Sequence, residues 1–206
     1  MNFWQYLIEK RKIAELTSAT IRQLAPEMSE IENRHFSGLY ANDEDDLIDN
    51  SEYAGFLGFG VFDDFNNIKG YITGYKMEDD ELDPELFAAF NQVKFYDKKF
   101  EKQLHDILST GITPDQISKA IVDQTFHVIN FVIDKEDRIE AYKLLKTFLD
   151  AVRAKGYKYL SFDALEDTQH LFMRDQMVKT SRLNKNNLRL ILTYDDGESV
   201  ITLMGL

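Results

Sequence analysis

VINFVIDKEDRIEAYKLLKTFLDAVRAKGYKYLSF, residues 128 to 162, decides the fold. It opens as a short apolar run of strand length, turns sharply, and continues as an amphipathic segment with Tyr142, Leu145, Leu149 and Val152 on one stripe and Leu144 and Phe148 beside it. Gly156 supplies a helix stop, and YKYLSF returns as a second strand. A strand, helix and strand of these lengths form a right-handed crossover, so the two strands are expected to be parallel neighbours. In such a unit the first amides of the helix make a natural cradle for an anion. Here the turn and first helical residues read DKEDRIE, with no glycine and four carboxylates.

Around this unit the punctuation fits a mixed α/β order. Residues 2 to 25 carry Phe3, Leu7, Ile13, Leu16, Ile21 and Leu24 near helical spacing and end at Ala25-Pro26, which predicts one or two helices stopping there, within a helical region over residues 1 to 40. Two Gly- and aromatic-rich segments, 53 to 62 and 68 to 77, flank Asp and Asn residues that suit a turn, the pattern of a β-hairpin. Asp83-Pro84 has the form of an N-cap and first helical residue, and the apolar positions from Leu86 to Leu108 mark a helical region closed by Gly111. Thr113-Pro114 with Gln116 starts a second helix to about Val122, completing a helical insertion over 84 to 122. After FHVINFVID, the crossover helix and YKYLSFDAL come a short helix, DTQHLFMRDQMV, and a closing hairpin with an Asp-Gly turn. The expectation is a single domain over residues 1 to 206.

Composition narrows the function. The chain of 206 residues has no cysteine, which excludes disulfides, thiolate metal sites and a cysteine nucleophile. Its net charge of -12 argues against a direct grip on nucleic acid. No apolar run reaches the roughly 20 residues of a membrane span, and the first residues lack the order of a signal peptide. A cytoplasmic protein that binds no membrane is expected, or a virion-associated one if it is phage-encoded, since the absence of cysteine, the three prolines and the Asn/Lys/Asp-rich loops resemble phage proteins in composition.

The excess charge is local. ANDEDDLIDNSE, 41 to 52, and EDDELDPE, 78 to 85, hold six carboxylates each and no base. Removing those 12 from 36 acidic residues leaves 24, equal to the 24 Lys and Arg. Because the two runs enter and leave the hairpin, they are expected to converge at its open end as one acidic pole. Charge runs are ordinarily solvated loops. The alternatives are a docking surface for a basic protein partner, centred on Asp43, Asp45, Asp46, Asp79, Asp80 and Glu81, and a calcium site, although DEDDLID lacks the glycine and terminal glutamate of an EF-hand loop. His35, His105, His127 and His170 stand in no metal-ligand spacing, so no metal is expected. There is no GxSxG elbow, Walker loop or GxGxxG segment, and GFLGFG fits strand glycines that admit close neighbours.

The element order, with YKLLKTFLDAVRAKGYKYLSF as signature helix and strand, resembles the GCN5-related N-acetyltransferase fold over residues 53 to 77 and 126 to 206. The resemblance implies an α/β (α+β) acetyltransferase-like domain, its mixed and mostly antiparallel sheet flanked by helices and holding one splayed parallel pair. It also implies acetyl-CoA held along Ile129 and Phe131 and at the turn by Arg138 and Ala141. His127, which opens the central strand, would be the general base if the protein is active, the alternative being an ordinary strand or edge histidine. With the family's paired leucines laid on Leu144-Leu145, Glu136 takes the place of an Arg or Gln, Ile139 the first Gly, and Ala141 the last small residue. Only Ala141 fits. A β-branched residue blocks close approach of the phosphates, and Asp134, Glu136, Asp137 and Glu140 repel the ligand, offset only in part by Lys135 and Arg138. The family's Leu-Tyr pair, whose tyrosine protonates the departing thiolate, corresponds to Leu171-Phe172, and phenylalanine has no proton to give. Tyr194 is a substitute candidate. The expectation is a non-catalytic binding or assembly protein with no cofactor, part of an oligomer or larger assembly. The alternatives are a divergent acetyl-CoA-dependent N-acetyltransferase and an acidic regulatory protein.

Overall fold

The structure is a computed structural model that describes residues 11–36, 41–78, 93–133, 138–165, 188–195 and 199–206. The described elements are β1 (Lys12–Leu16), α1 (Ser18–His35), α2 (Glu44–Asn50), β2 (Leu57–Phe62), β3 (Ile68–Lys76), β4 (Val93–Phe95), α3 (Lys98–Leu108), α4 (Pro114–Val122), β5 (Thr125–Ile133), α5 (Arg138–Ala154), β6 (Tyr159–Leu165), β7 (Arg189–Asp195) and β8 (Ser199–Gly205). The strands follow the order β1-β2-β3-β5-β6-β8-β7-β4. The β5–β6 pair is parallel, as the crossover requires, while β1–β2, β2–β3, β6–β8, β7–β8 and β4–β7 are antiparallel. The chain divides into two compact units, and both β5 and α5 contribute residues to each.

The first unit comprises residues up to Tyr75 together with Ile129–Phe148. Its core gathers Leu16, Ile21, Met28, Ile31, Tyr71 and Val132 with their neighbours. Residues 12 to 16 form a strand where a helix is expected, because β2 offers an edge that receives them. Leu16 pairs with Gly58, where any Cβ would come within 3.2 Å of Leu16 Cβ. The bare glycine faces of β2 are what let β1 close in, the role foreseen for GFLGFG. The helix then starts at a Thr17–Thr20 capping box and runs through Pro26 instead of stopping there. An interior proline costs roughly 3 kcal/mol. Pro26 lies on the exposed face, whereas Ile21, Ala25, Met28 and Ile31 continue the buried stripe on both sides of it and carry the helix across. The hairpin β2–β3 forms as expected, around a turn in which Asp63 accepts from the Phe65 and Asn67 amides and Asn66 takes φ 64°.

The second unit comprises Lys76–Val128 and Leu149–Leu206. Here β4 stands within the helical region expected from Leu86 to Leu108, where a strand was not foreseen. The Val93 and Phe95 positions are half-buried with exposed Lys94 between, strand alternation satisfied by pairing with β7. The amides of Tyr96 and Asp97 then donate to the Ile191 carbonyl, and the Asp97 carboxylate caps the first turn of α3. The Thr113–Gln116 capping box, with Pro114 at the helix start, begins α4 as its sequence predicts. Leu144, Leu145 and Phe148 of α5 in the first unit, and Leu149 and Val152 in the second, are fully buried. Gly156 leaves the helix at φ 91°, and the closing hairpin is β7–β8.

Candidate functional site

The crossover turn is the first place to look for a cofactor, and its residues 134 to 137 lie outside the described ones. The helix that follows begins at Arg138, and its next residue, Ile139, projects an apolar side chain that is 60% exposed. Glu140, also in the first turn, is nearly buried at 13% side-chain exposure. Its Oε1 accepts from Lys143 Nζ at 2.9 Å, while Oε2 is buried with no hydrogen-bond partner among the described residues. A carboxylate held in the first turn complements the positive end of the helix dipole. The chain thereby serves with its own acid an end that would otherwise attract an external anion. Ile129, Phe131 and Ala141 are half-buried in the first unit.

His127 belongs to the second unit. The parallel register sets it opposite Ser161, and its Nδ1 lies 3.0 Å from Ser161 Oγ. Ser161 Oγ in turn lies 3.6 Å from Met77 Sδ. The imidazole is 9% exposed, so the contact holds a buried ring in one orientation. Tyr194, the substitute acid, is buried in the second unit's apolar cluster instead of standing open to a ligand. Leu171, Phe172 and His170 lie outside the described residues.

The first acidic run is not the loop expected of it. Asp43 and Asp46 form a capping box, and residues 44 to 50 are helix α2, with Glu44, Asp45 and Asp46 in the first turn where the dipole favours negative charge and with Leu47 buried. Asp43, Asp45 and Asp46 are exposed, whereas Asp79, Asp80 and Glu81 lie outside the described residues, as does any convergence of the two runs. Among the described residues, no group of three His, Asp or Glu side chains is arranged to hold a metal ion. Nor is any helix among them long and apolar enough to cross a membrane.

A polar cluster in the first unit escaped the sequence reading. Glu32 of α1 is 1% exposed, and its Oε1 accepts from both the Tyr71 hydroxyl and Asn130 Nδ2, the latter at 3.0 Å. Asn130 Oδ1 accepts from Thr73 Oγ1 at 2.9 Å. Burial raises the Glu32 pKa above its ordinary value, with the hydrogen bonds from Tyr71 and Asn130 opposing it. Burial likewise drives the Tyr71 phenol well up, and the adjacent Glu32 charge adds to it. The signal was available: Glu32 continues the 21, 25, 28 spacing of the buried stripe, a place where an acid must find partners.

No protein-family model matches the chain, and no curated protein matches it. Solved structures do. A ribosomal-protein-S18-alanine N-acetyltransferase from Escherichia coli superposes with TM-score 0.54 at 11% identity, over 96% of this chain and 93% of its own. A PaiA N-acetyltransferase from Thermoplasma acidophilum, solved with coenzyme A, gives 0.51 at 12% identity over 96% and 99%. A GCN5-related N-acetyltransferase from Kribbella flavida gives 0.51 at 10% identity over 95% and 96%. Likeness at such identities is one of fold, and it extends beyond the half of the chain where the sequence resemblance lies.

Proposed function

From the premise that the chain has the GCN5-related N-acetyltransferase fold, we propose that it is a non-catalytic binding or assembly module that does not use acetyl-CoA. The observation that carries this is Glu140: a nearly buried acid in the first turn of α5, ion-paired with Lys143 and next to the exposed Ile139, occupies the helix end with a carboxylate of the chain's own. An incoming pyrophosphate would meet that carboxylate and, at the family's glycine position, a β-branched side chain. Asp134, Glu136 and Asp137 add to the repulsion. The partner proposed is a protein with a basic surface, which fits an acidic chain.

A second reading, a divergent acetyl-CoA-dependent N-acetyltransferase, is favoured by His127, whose contact with Ser161 orients an imidazole on β5. Thermal denaturation with acetyl-CoA separates the two, because a ligand of the native state raises the melting temperature by mass action. The module should melt unchanged at about 1 mM acetyl-CoA, since a dissociation constant tenfold below that concentration would add about 1.4 kcal/mol. A saturable upward shift, or acetylation of a polyamine or peptide amine that disappears in His127→Ala, would establish the enzyme instead.

A further inference from the structure

In the second unit, α3, α4 and the first residue of β6 surround a cavity of about 760 Å³. That volume lies within the roughly 300–1,000 Å³ of small-molecule sites. Its walls are apolar, among them Phe100, Leu104 and Ile117, and at its mouth Ile107 and Ile112 stay 39% and 42% exposed. Tyr159 brings a polar group to these walls. Its ring meets Phe100 edge-on at 6.1 Å, and its hydroxyl makes no hydrogen bond among the described residues. Burial, opposed by the nearby Arg189, raises its pKa and keeps the phenol in its protonated, donor form. The remaining polar lining is amide, from Gln103, Gln116 and Gln124, apart from the carboxylate of Asp106. Among the described residues no cation is part of the lining, Arg189 lying near Tyr159 without joining it.

We propose that this cavity is a binding site for a neutral aromatic small molecule bearing one hydrogen-bond acceptor, its rings against Phe100 and Leu104 and its acceptor on the Tyr159 hydroxyl. Apolar walls select the ring system, the Tyr159 hydroxyl beside Phe100 receives the acceptor at that wall, and the Asp106 carboxylate disfavours anions. The α3 lining, Phe100 to Ile107, covers about 10 Å of helix, the length of a molecule of two or three fused rings. The site shares no residue with the crossover turn, so it stands whether or not acetyl-CoA binds.

The probe is Prodan, a neutral naphthalene carrying a ketone, whose emission moves to the blue in apolar surroundings. Titration should give saturable one-to-one binding with a blue shift. Ala120→Phe, which fills the cavity from an exposed helical position, should weaken binding at least tenfold without lowering the melting temperature, and Gln103→Trp provides the same block from α3. Tyr159→Phe should weaken Prodan about fivefold, the loss of one hydrogen bond. Anilinonaphthalene sulfonate, an anion of similar size, should bind more weakly than Prodan. Unsaturable binding, affinity unchanged in both filling variants, or preference for the sulfonate would overturn the proposal. So would a concentration-dependent dimer that excludes Prodan, which would make a second copy of the chain the occupant.

Discussion

At the scale of single residues, Glu32 sets a pH dependence whose sign follows from its surroundings. Its folded pKa stands above the ordinary carboxyl value, burial being the larger cause and the Tyr71 and Asn130 hydrogen bonds opposing it. A group raised in this way contributes its full stability below the unfolded pKa of about 4.5, and that contribution is lost as pH rises through the folded value. Glu32→Gln keeps an acceptor for Tyr71 and Asn130 and removes the titration. Urea denaturation at pH 5 and pH 7.5 should therefore show the parent losing ground to the variant at the higher pH, whatever the absolute cost of the amide. Parallel pH profiles would mean that the carboxyl titrates normally. Residue scale also governs the crossover turn. Glu136→Arg with Ile139→Gly returns a cation and open backbone to it, and should bring acetyl-CoA into measurable calorimetric binding, a gain of tenfold or more. A folded double variant with no gain would remove the correspondence between this turn and the family's cradle.

Elements are held by partners as much as by their own residues, and Gly70 of β3 shows the cost of ignoring this. A Cβ there would stand 2.7 Å from Ile133 Cα and from the Val132 carbonyl oxygen, both backbone atoms of β5 that cannot step aside. Gly70→Ala should cost about 3 kcal/mol, the upper part of the usual overpacking range, measured as a fall in the urea midpoint at constant slope. Thr113→Ala, which removes only the cap of α4, should cost about 1 kcal/mol. If the Gly70 variant melted no lower than the Thr113 variant, β3 would be free to move away from β5. The same distinction explains what the sequence disclosed. The α4 cap, the Gly156 stop and the stripe of α5 are local signals, and each was legible in a handful of adjacent residues. The strands β1 and β4, five and three residues long, exist because Gly58 admits Leu16 and because β7 pairs with Val93–Phe95. Nothing in KIAEL or VKF announces those partners. The His127–Ser161 contact was likewise invisible until the parallel register placed the two side by side, and Glu32 lies beyond Pro26, where the helix was expected to stop, so it joins the buried stripe only because the helix runs on.

Across the whole molecule the relevant quantity is a charge of -12 whose entire excess lies in two short runs. Self-repulsion of that charge opposes the compact state, and salt relieves it: the screening length falls from about 30 Å at 0.01 M to about 10 Å at 0.1 M. The melting temperature should accordingly rise over that interval. Changing Asp43, Asp45, Asp46, Asp79 and Asp80 to Asn and Glu81 to Gln reduces the acids from 36 to 30 against 24 bases, so the net charge becomes -6. Two opposed effects follow. Asn at position 43 still caps α2, but neutral residues at 45 and 46 give up the favourable interaction with the helix dipole, worth roughly 0.3–1 kcal/mol each. Absolute stability is therefore a poor readout, because a local loss is set against a global gain. The salt slope is a clean one: the dipole interaction is confined to one turn, whereas self-repulsion of the net charge acts over the lengths that salt screens. The six-fold variant should show a rise of the melting temperature between 0.01 M and 0.1 M salt no more than half the parent's. It should also bind polylysine more weakly, with a flatter salt dependence. An undiminished slope would place the repulsion elsewhere on the chain, and undiminished polylysine binding would deny the acidic runs a role in recognising a basic partner.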